Sequence, residues 1–451
     1  MQADANQSLI SAARTRAVLI PVLWALMASA MVIESDAYRY VAIGFVIFVF
    51  IRHGADVRRL SKDWLACLCY AWSAYVVLRF AAGIVVHGEK GSSEWLYAFP
   101  ALFPLVGVAL YATRRHLFTA ATLLLVGGAI GLLATLDFQT IASGERIEPL
   151  FHNNPIHAGV GCAMLFLSSL FWLLYAGENG YLKTPRKWAY LALGGITAAL
   201  SLTGVLGAQS KGAWLALAAT FAFMALLAAC HLAGRQRIYL LAAIALLAAT
   251  SATTMSPYVL KVAGTTMDAS ARLTQGTLVS DNPMSAMRVA IDDPNTPEAM
   301  RERLMLWTNA LELVQESPLT GWGNLWLREW RQTTYSDVGY NLLHNGYLEI
   351  LVRHGLLGIL FLLVFAITAM RRIHRAHASG SLATSTMNYL YTLSFFFFCT
   401  IASNSNNRLA IGESFFILAG CVPFALLLLE REVLLETASG KPTKLAPQTG
   451  S

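Results

Sequence analysis

Apolar runs of roughly 17–25 residues, each long enough to cross a bilayer as a helix, recur almost from end to end of this 451-residue chain. Charged residues make up 13% and hydrophobic residues 56% of the sequence, against about 25% charged in ordinary globular domains. The fold class read from this pattern is an all-α membrane protein of about twelve transmembrane helices. The first apolar stretch, from Ala17 to Ile33, has no convincing cleavage site and reads as the first helix, not as a signal peptide.

The spans are placed at about 17–33, 38–51, 64–86, 95–112, 117–136, 158–176, 188–206, 212–230, 238–255, 355–371, 386–402 and 409–429. Lys and Arg then sort by alternate connections. One side holds Arg14 and Arg16, then Arg52, Arg58, Arg59 and Lys62, then Arg114 and Arg115. It continues with Lys183, Arg186 and Lys187, then Arg235 and Arg237, then Arg371, Arg372 and Arg375. The short loops of the other side hold only Arg39, Lys90, Arg146, Lys211 and Arg408. The positive-inside rule therefore predicts that both termini are cytoplasmic. This topology accounts for the net charge of +7, and a nucleic-acid partner is not expected.

The chain divides into helices 1–9 over 1–255, a loop domain over 256–354 on the non-cytoplasmic side, helices 10–12 over 355–430, and a disordered tail over 431–451, unstructured from about Glu436. The loop domain is expected to be a helical cap. Thr296 can cap a helix, Pro297 suits its first position and Glu298 its positive end. Met300, Leu304, Trp307, Leu311 and Val314 recur as one apolar stripe, and Pro318 and Gly321 end it. A second helix is expected from Leu343 to Arg353, stopping near Gly355.

Polar groups at membrane depth or at its outer surface are the candidate functional residues. They form four clusters, all on the non-cytoplasmic side. The loop GERIEPLFHNNPIHAG carries Arg146, His152, Asn153, Asn154 and His157. The turn GAQSKGAW carries Gln209, Ser210 and Lys211. The segment RERLMLW carries Arg301 and Arg303 and leads into SPLTGWGN. The segment NLLHNGYLEILVRHG carries His344, Asn345, Glu349 and His354. Each has a plainer reading. Lys211 could be a snorkelling side chain, and Arg301 and Arg303 could be solvated or paired with Glu298 and Glu302. Between Ser256 and Gly346 there are seven Lys/Arg and ten Asp/Glu, so any anion site there must be local. Arg79, inside the third span, is expected to snorkel outward. Glu34-Ser35-Asp36 and Asp292-Asp293 are weak metal candidates. The six cysteines, Cys67, Cys69, Cys162, Cys230, Cys399 and Cys421, lie in apolar runs and suggest neither a disulfide framework nor a zinc site.

These blocks resemble the O-antigen ligase and polymerase superfamily. HNGYLEILVRHGLLG is similar to its His-Asn-x-x-Leu-Glu signature. RLMLWTNALELVQESPLTGWGN is similar to its Arg-x-x-x-Trp element followed by Pro-Leu-x-Gly-x-Gly. The ERIEPLFHNNPIHAG and SKGAWLAL stretches resemble two further blocks, in the same order. One departure is Lys211, where Arg is expected; it keeps the charge but not the bidentate fork. The resemblance implies a bacterial inner-membrane glycosyltransferase of the GT-C type with its active site at the periplasmic face. Its donor would be O-antigen on undecaprenyl pyrophosphate and its acceptor lipid A–core, in a setting of membrane lipids, with no metal and no cofactor. By this resemblance and its chemistry, His344 is the expected catalytic base. Arg146, Lys211, Arg303 and Arg301 are expected to bind the donor pyrophosphate. Asn345, His157, Asn154 and Gln209 are expected to position substrate, and His157 is a rival base. An O-antigen polymerase or protein O-oligosaccharyltransferase would use the same donor. A lipid-linked oligosaccharide transporter is a different class; it should carry midplane sites in related halves, and no such repeat is evident.

Overall fold

The structure is a computed structural model that describes residues 17–92, 94–231, 234–279, 282–339 and 342–438. Among these residues the chain is helical, with no strand and one isolated bridge between Ile33 and Phe151. The helices are α1 (Ala17–Met31), α2 (Ala37–Arg52), α3 (Gly54–Leu60), α4 (Trp64–His87), α5 (Leu102–Thr113) and α6 (Leu117–Thr135). After the short α7 (Phe138–Ser143) come α8 (Pro155–Glu178), α9 (Lys187–Gly207), α10 (Lys211–His231) and α11 (Gly234–Val279). The cap region holds α12 (Pro283–Asp292), α13 (Glu298–Glu316) and α14 (Trp326–Trp330). The chain then returns as α15 (Gly346–Ala378), α16 (Thr384–Ile401) and α17 (Ala410–Ala438).

Every stretch expected to span is helical, and the chain is a multi-pass membrane protein. Seven described helical runs are long and apolar enough to cross a membrane, or eight if α2 and α3, bent by 102°, form one span. One of the seven, Glu94–Thr135, contains two expected spans separated by the 3-10 turn Arg114–His116. Helix length and composition alone therefore reach fewer spans than the twelve expected.

Helix α8 is central. Its residues Ala158–Leu167 are all buried, and it packs on α9, α16 and α10. Helix α5 lies against α17, where Gly107 sets the spacing: a side chain there would meet Phe424 and the Cys421 carbonyl. The connections gather at two ends. At one end Arg372 bonds both oxygens of Asp63, at 2.8 and 2.7 Å, Arg114 pairs with Glu432, and Glu178 accepts the N–H groups of Thr384 and Ser385. These are segments of the Lys/Arg-rich side. At the other end lie the cap, the 144–154 loop, the 208–211 turn and the loops around Glu34, Ser92 and Asn404.

Several local expectations change. Helix α11 continues to Val279 instead of ending near 255. Pro297, not Thr296, stands at the N-cap of α13, and no side chain caps it there. The buried stripe of α13 is Leu306, Ala310 and Leu313, packed with Trp326, Trp330, Leu343 and Val352. Leu304 of the expected stripe is also buried, and Trp307 and Val314 pack half-buried against the same core, so the buried face is broader than the one expected because α14 and the start of α15 also cover the helix. The second cap helix starts at Gly346, since the Asn345 side chain caps it by accepting from Tyr347 and Leu348 N–H. Helix α17 runs to Ala438, so the expected disorder from Glu436 does not begin there, and 439–451 lie outside the described residues.

The expected stop at Gly355 is a sharp kink inside α15, with φ +58°. The turn after α13 fills it. Leu356 and Leu357 N–H donate to the Pro318 and Leu319 carbonyls, and Trp322 N–H donates to Val352. A side chain at Gly355 would strike Leu319, which is why glycine is needed. Arg79 does not snorkel: it donates to the Thr320 and Gly321 carbonyls and to the Tyr75 hydroxyl. Asn324 reaches the Phe80 and Glu89 carbonyls at 3.0 and 2.9 Å. The SPLTGWGN segment is thus a clasp that fastens the cap to α4 and α15.

Candidate functional site

The 144–154 loop is laced onto the turn between α9 and α10. Arg146 Nε donates to the Ala208 carbonyl at 2.9 Å, Gln209 Nε2 to the Gly144 carbonyl at 2.9 Å, and Ile147 N–H to Gly207 at 3.0 Å. These bonds put Arg146 beside the N-terminus of α10, whose first residue is Lys211. Lys211 Nζ donates to the Thr266 hydroxyl of α11 at 2.8 Å. Gln209, an expected substrate contact, is here engaged in holding the loop.

Arg303 comes from the cap. The charges of Arg303 and Arg146 both act on Lys211, so the structure brings these three cations to one place. Among the described residues none of the three is in an ion pair with a carboxylate. Arg303 is half-buried, and burial lowers its pKa. Burial likewise lowers that of Arg146, against a weaker pull from Glu148. Partly desolvated cations lacking carboxylates form a site that an anion would relieve. Arg301 differs. It pairs with Glu298 at 2.7 Å and donates to the carbonyls of Ile291, Asp293 and Thr296. Its guanidinium staples α13 to the preceding turn, so it is not brought into the cation group.

His344 is half-buried and precedes the Asn345 cap instead of opening the helix. Burial and then the Arg303 charge lower its pKa, with Glu349 and Glu302 opposing, so the imidazole is neutral at neutral pH. Asn345 uses its side-chain oxygen as the helix cap, worth about 1 kcal/mol. Asn154 does the same for α8, accepting from Ile156 N–H at 2.8 Å. Both expected positioning residues thus act first on the backbone. His157 lies near His344 and His152, with Nδ1 3.8 Å from Glu34 Oε1. His152 Nε2 is 3.2 Å from the Met31 carbonyl.

The described non-glycine residues with left-handed φ are Leu150, Gln209 and His344, at +65°, +49° and +50°. Each lies in a different one of these polar blocks. Such conformations are costly and concentrate where the surrounding structure enforces a function. Among the described residues no group of three or more His, Cys, Asp or Glu is placed to hold a metal ion. Asp293 instead accepts from Asn295.

The sequence reading missed a buried ion network behind the site. Arg353 pairs with Glu94 at 2.9 Å and with Glu349, and Arg408 pairs with Glu349 at 3.3 Å and bonds Ser92. Trp326 donates to Glu94 and stacks under Arg353 at 4.3 Å. The available signal was charge at the edges of apolar runs, at Glu94, Arg353 and Arg408. Beside the network an apolar cavity of about 530 Å³ lies among Phe223, Phe361, Phe365, Phe395 and Phe416, with Arg408 and Glu413 on its wall.

A multi-pass helical membrane protein with a cation cluster beside a neutral histidine is the class that this fold and site define. Residues 196–363 match the family model described as O-Antigen ligase, so this segment is similar to that family. The match contains Lys211, Arg303 and His344, while Arg146 and His157 precede it. No curated protein matches the chain. The family supports a general role in glycosyl transfer from lipid-linked polysaccharide.

Proposed function

We propose that the chain is an O-antigen ligase that moves O-antigen polysaccharide from undecaprenyl pyrophosphate to lipid A–core at the periplasmic face of the inner membrane. The observation that carries this reading is the gathering of Arg146, Lys211 and Arg303 beside a neutral His344. The acceptor hydroxyl oxygen attacks the anomeric carbon of the first donor sugar. The bond from that carbon to the pyrophosphate oxygen breaks, and the hydroxyl proton passes to His344. The three cations hold the negative charge that grows on the departing lipid pyrophosphate. Fixed charges aimed at developing charge are worth roughly 10²–10³ in rate for each group removed. A diphosphate is already a good leaving group, so the mechanism needs no strong general acid. The aromatic-lined cavity is of the kind that accepts hydrocarbon, consistent with lipid-borne substrates.

Deleting the gene tests this reading. A ligase deletion leaves lipid A–core without O-chain while lipid-linked polymer accumulates. Chains of a single repeat on lipid A–core would indicate a polymerase, and unchanged lipopolysaccharide would reject both.

A further inference from the structure

Glu349 is fully buried and all its oxygens are engaged. Oε1 accepts the Leu343 N–H at 2.8 Å and the Ser405 hydroxyl at 3.0 Å. Oε2 faces Arg353 and Arg408. The carbonyl of the same Leu343 accepts from Trp307 Nε1 at 2.9 Å, one helical turn beyond Arg303 on α13. Both polar backbone groups of Leu343 are therefore pinned, and its side chain is buried in the cap core. The next residue is His344, held at φ +50°. A left-handed histidine does not keep that conformation unaided, and the pinned peptide before it supplies one restraint.

We propose that Glu349 is a positioning residue for the His344 imidazole, its carboxylate fixing the Leu343 peptide so that the following histidine is held in its left-handed pose at the cation cluster. The inference rests on the reading of His344 as the base. A serine or asparagine could accept one N–H more cheaply than a buried carboxylate needing two guanidiniums. What the charged network adds is attachment. Through Arg353 and Arg408 it ties the His344 loop to the Glu94 and Ser92 loop and to the 404–408 loop, so His344 is braced from three directions. Glutamine cannot reproduce this. Its amide either turns NH₂ toward the two guanidiniums or turns NH₂ toward the Leu343 N–H, and one contact is lost in each case.

Among the described residues the groups acting on His344 include Arg303 and Glu302 from α13, Glu349 from α15 and His157 from α8. Glu349→Gln removes a charge that favours the protonated imidazole. The expected result is a kcat lower by roughly 10²-fold, the scale of a base displaced by about 1 Å. KM for the lipid-linked donor should stay near wild type, and the acidic limb of the pH–rate profile should move to lower pH. The limb reads the Glu349 charge at the imidazole, and loss of kcat at unchanged KM in a folded protein reads the positioning. A folded Glu349→Gln protein with wild-type kcat and profile would overturn the inference. The second measurement uses the wild-type protein and so does not depend on the variant folding: hydrogen exchange at the Leu343 amide. Slow exchange is expected, and exchange as fast as an open loop would overturn the inference. Absence of transfer by the wild-type protein would instead overturn the proposed function, leaving Leu343 exchange to decide this point alone.

Discussion

Arg303 faces His344 closely enough for its charge to act on the imidazole. Burial and that charge lower the histidine pKa, and a base works only when deprotonated. The rate therefore rises with pH through the folded pKa, and the acidic limb should lie below the ordinary value of about 6.5. Arg303→Gln removes the repelling cation and should move the limb to higher pH while lowering the plateau. A pH–rate series with lipid-linked donor checks both. A limb above 6.5 in the wild type, or no movement in the variant, would remove His344 from the role of base.

The cations separate into two kinds. Alanine at Arg146, Lys211 or Arg303 should each cost about 10²-fold or more in transfer rate. Lys211→Arg should stay active, because position and charge are kept. Arg301→Ala should leave the turnover of the folded protein near wild type and lower its thermal stability, since Arg301 holds Glu298 and three carbonyls. Turnover and melting temperature measured on the same preparations distinguish the two groups.

Asp63 and Arg372 join α4 to α15 at the opposite end of the bundle, and both are buried. Removing either one leaves a buried charge alone and should cost about 3–5 kcal/mol. Asp63 also accepts from Ala66 N–H at the start of α4, so Asp63→Ala should be the more damaging. The double variant Asp63→Asn/Arg372→Met should lose less than the sum of the single losses. Denaturation of the four proteins in one detergent tests the coupling.

Much of the architecture was legible because membrane helices announce themselves by length. All expected spans are helical, and three contacts join segments of the Lys/Arg-rich side: Asp63 with Arg372, Arg114 with Glu432, and Glu178 with Thr384. Less of the site was legible. Arg146, Lys211, Arg303 and His344 could be chosen as charged or titratable groups in motif-like blocks. Nothing local distinguished Arg301 from Arg303, two residues apart on one helix; only the carbonyls at 291–296 show which is engaged. The stripe on α13 was read too narrowly, since Leu306, Ala310 and Leu313 are buried beside Leu304 because a cap helix buries two sides. The network of Glu94, Arg353 and Arg408 joins residues more than two hundred and fifty positions apart, which no periodicity reveals.

The positive-inside pattern predicts a periplasmic cap. Gln332 is exposed on the cap. Gln332→Cys in a cysteine-free background should react with an impermeant maleimide in intact spheroplasts. Labelling only after lysis would place the cap in the cytoplasm and rule out a periplasmic site.

The central claim is tested most directly by reconstitution of the purified protein with lipid-linked O-antigen polymer and lipid A–core, without nucleotide sugar or added metal. The account predicts that polymer moves onto lipid A–core with release of undecaprenyl pyrophosphate, and that His344→Ala abolishes the transfer. Polymer that lengthens on its lipid carrier while lipid A–core stays bare would contradict it.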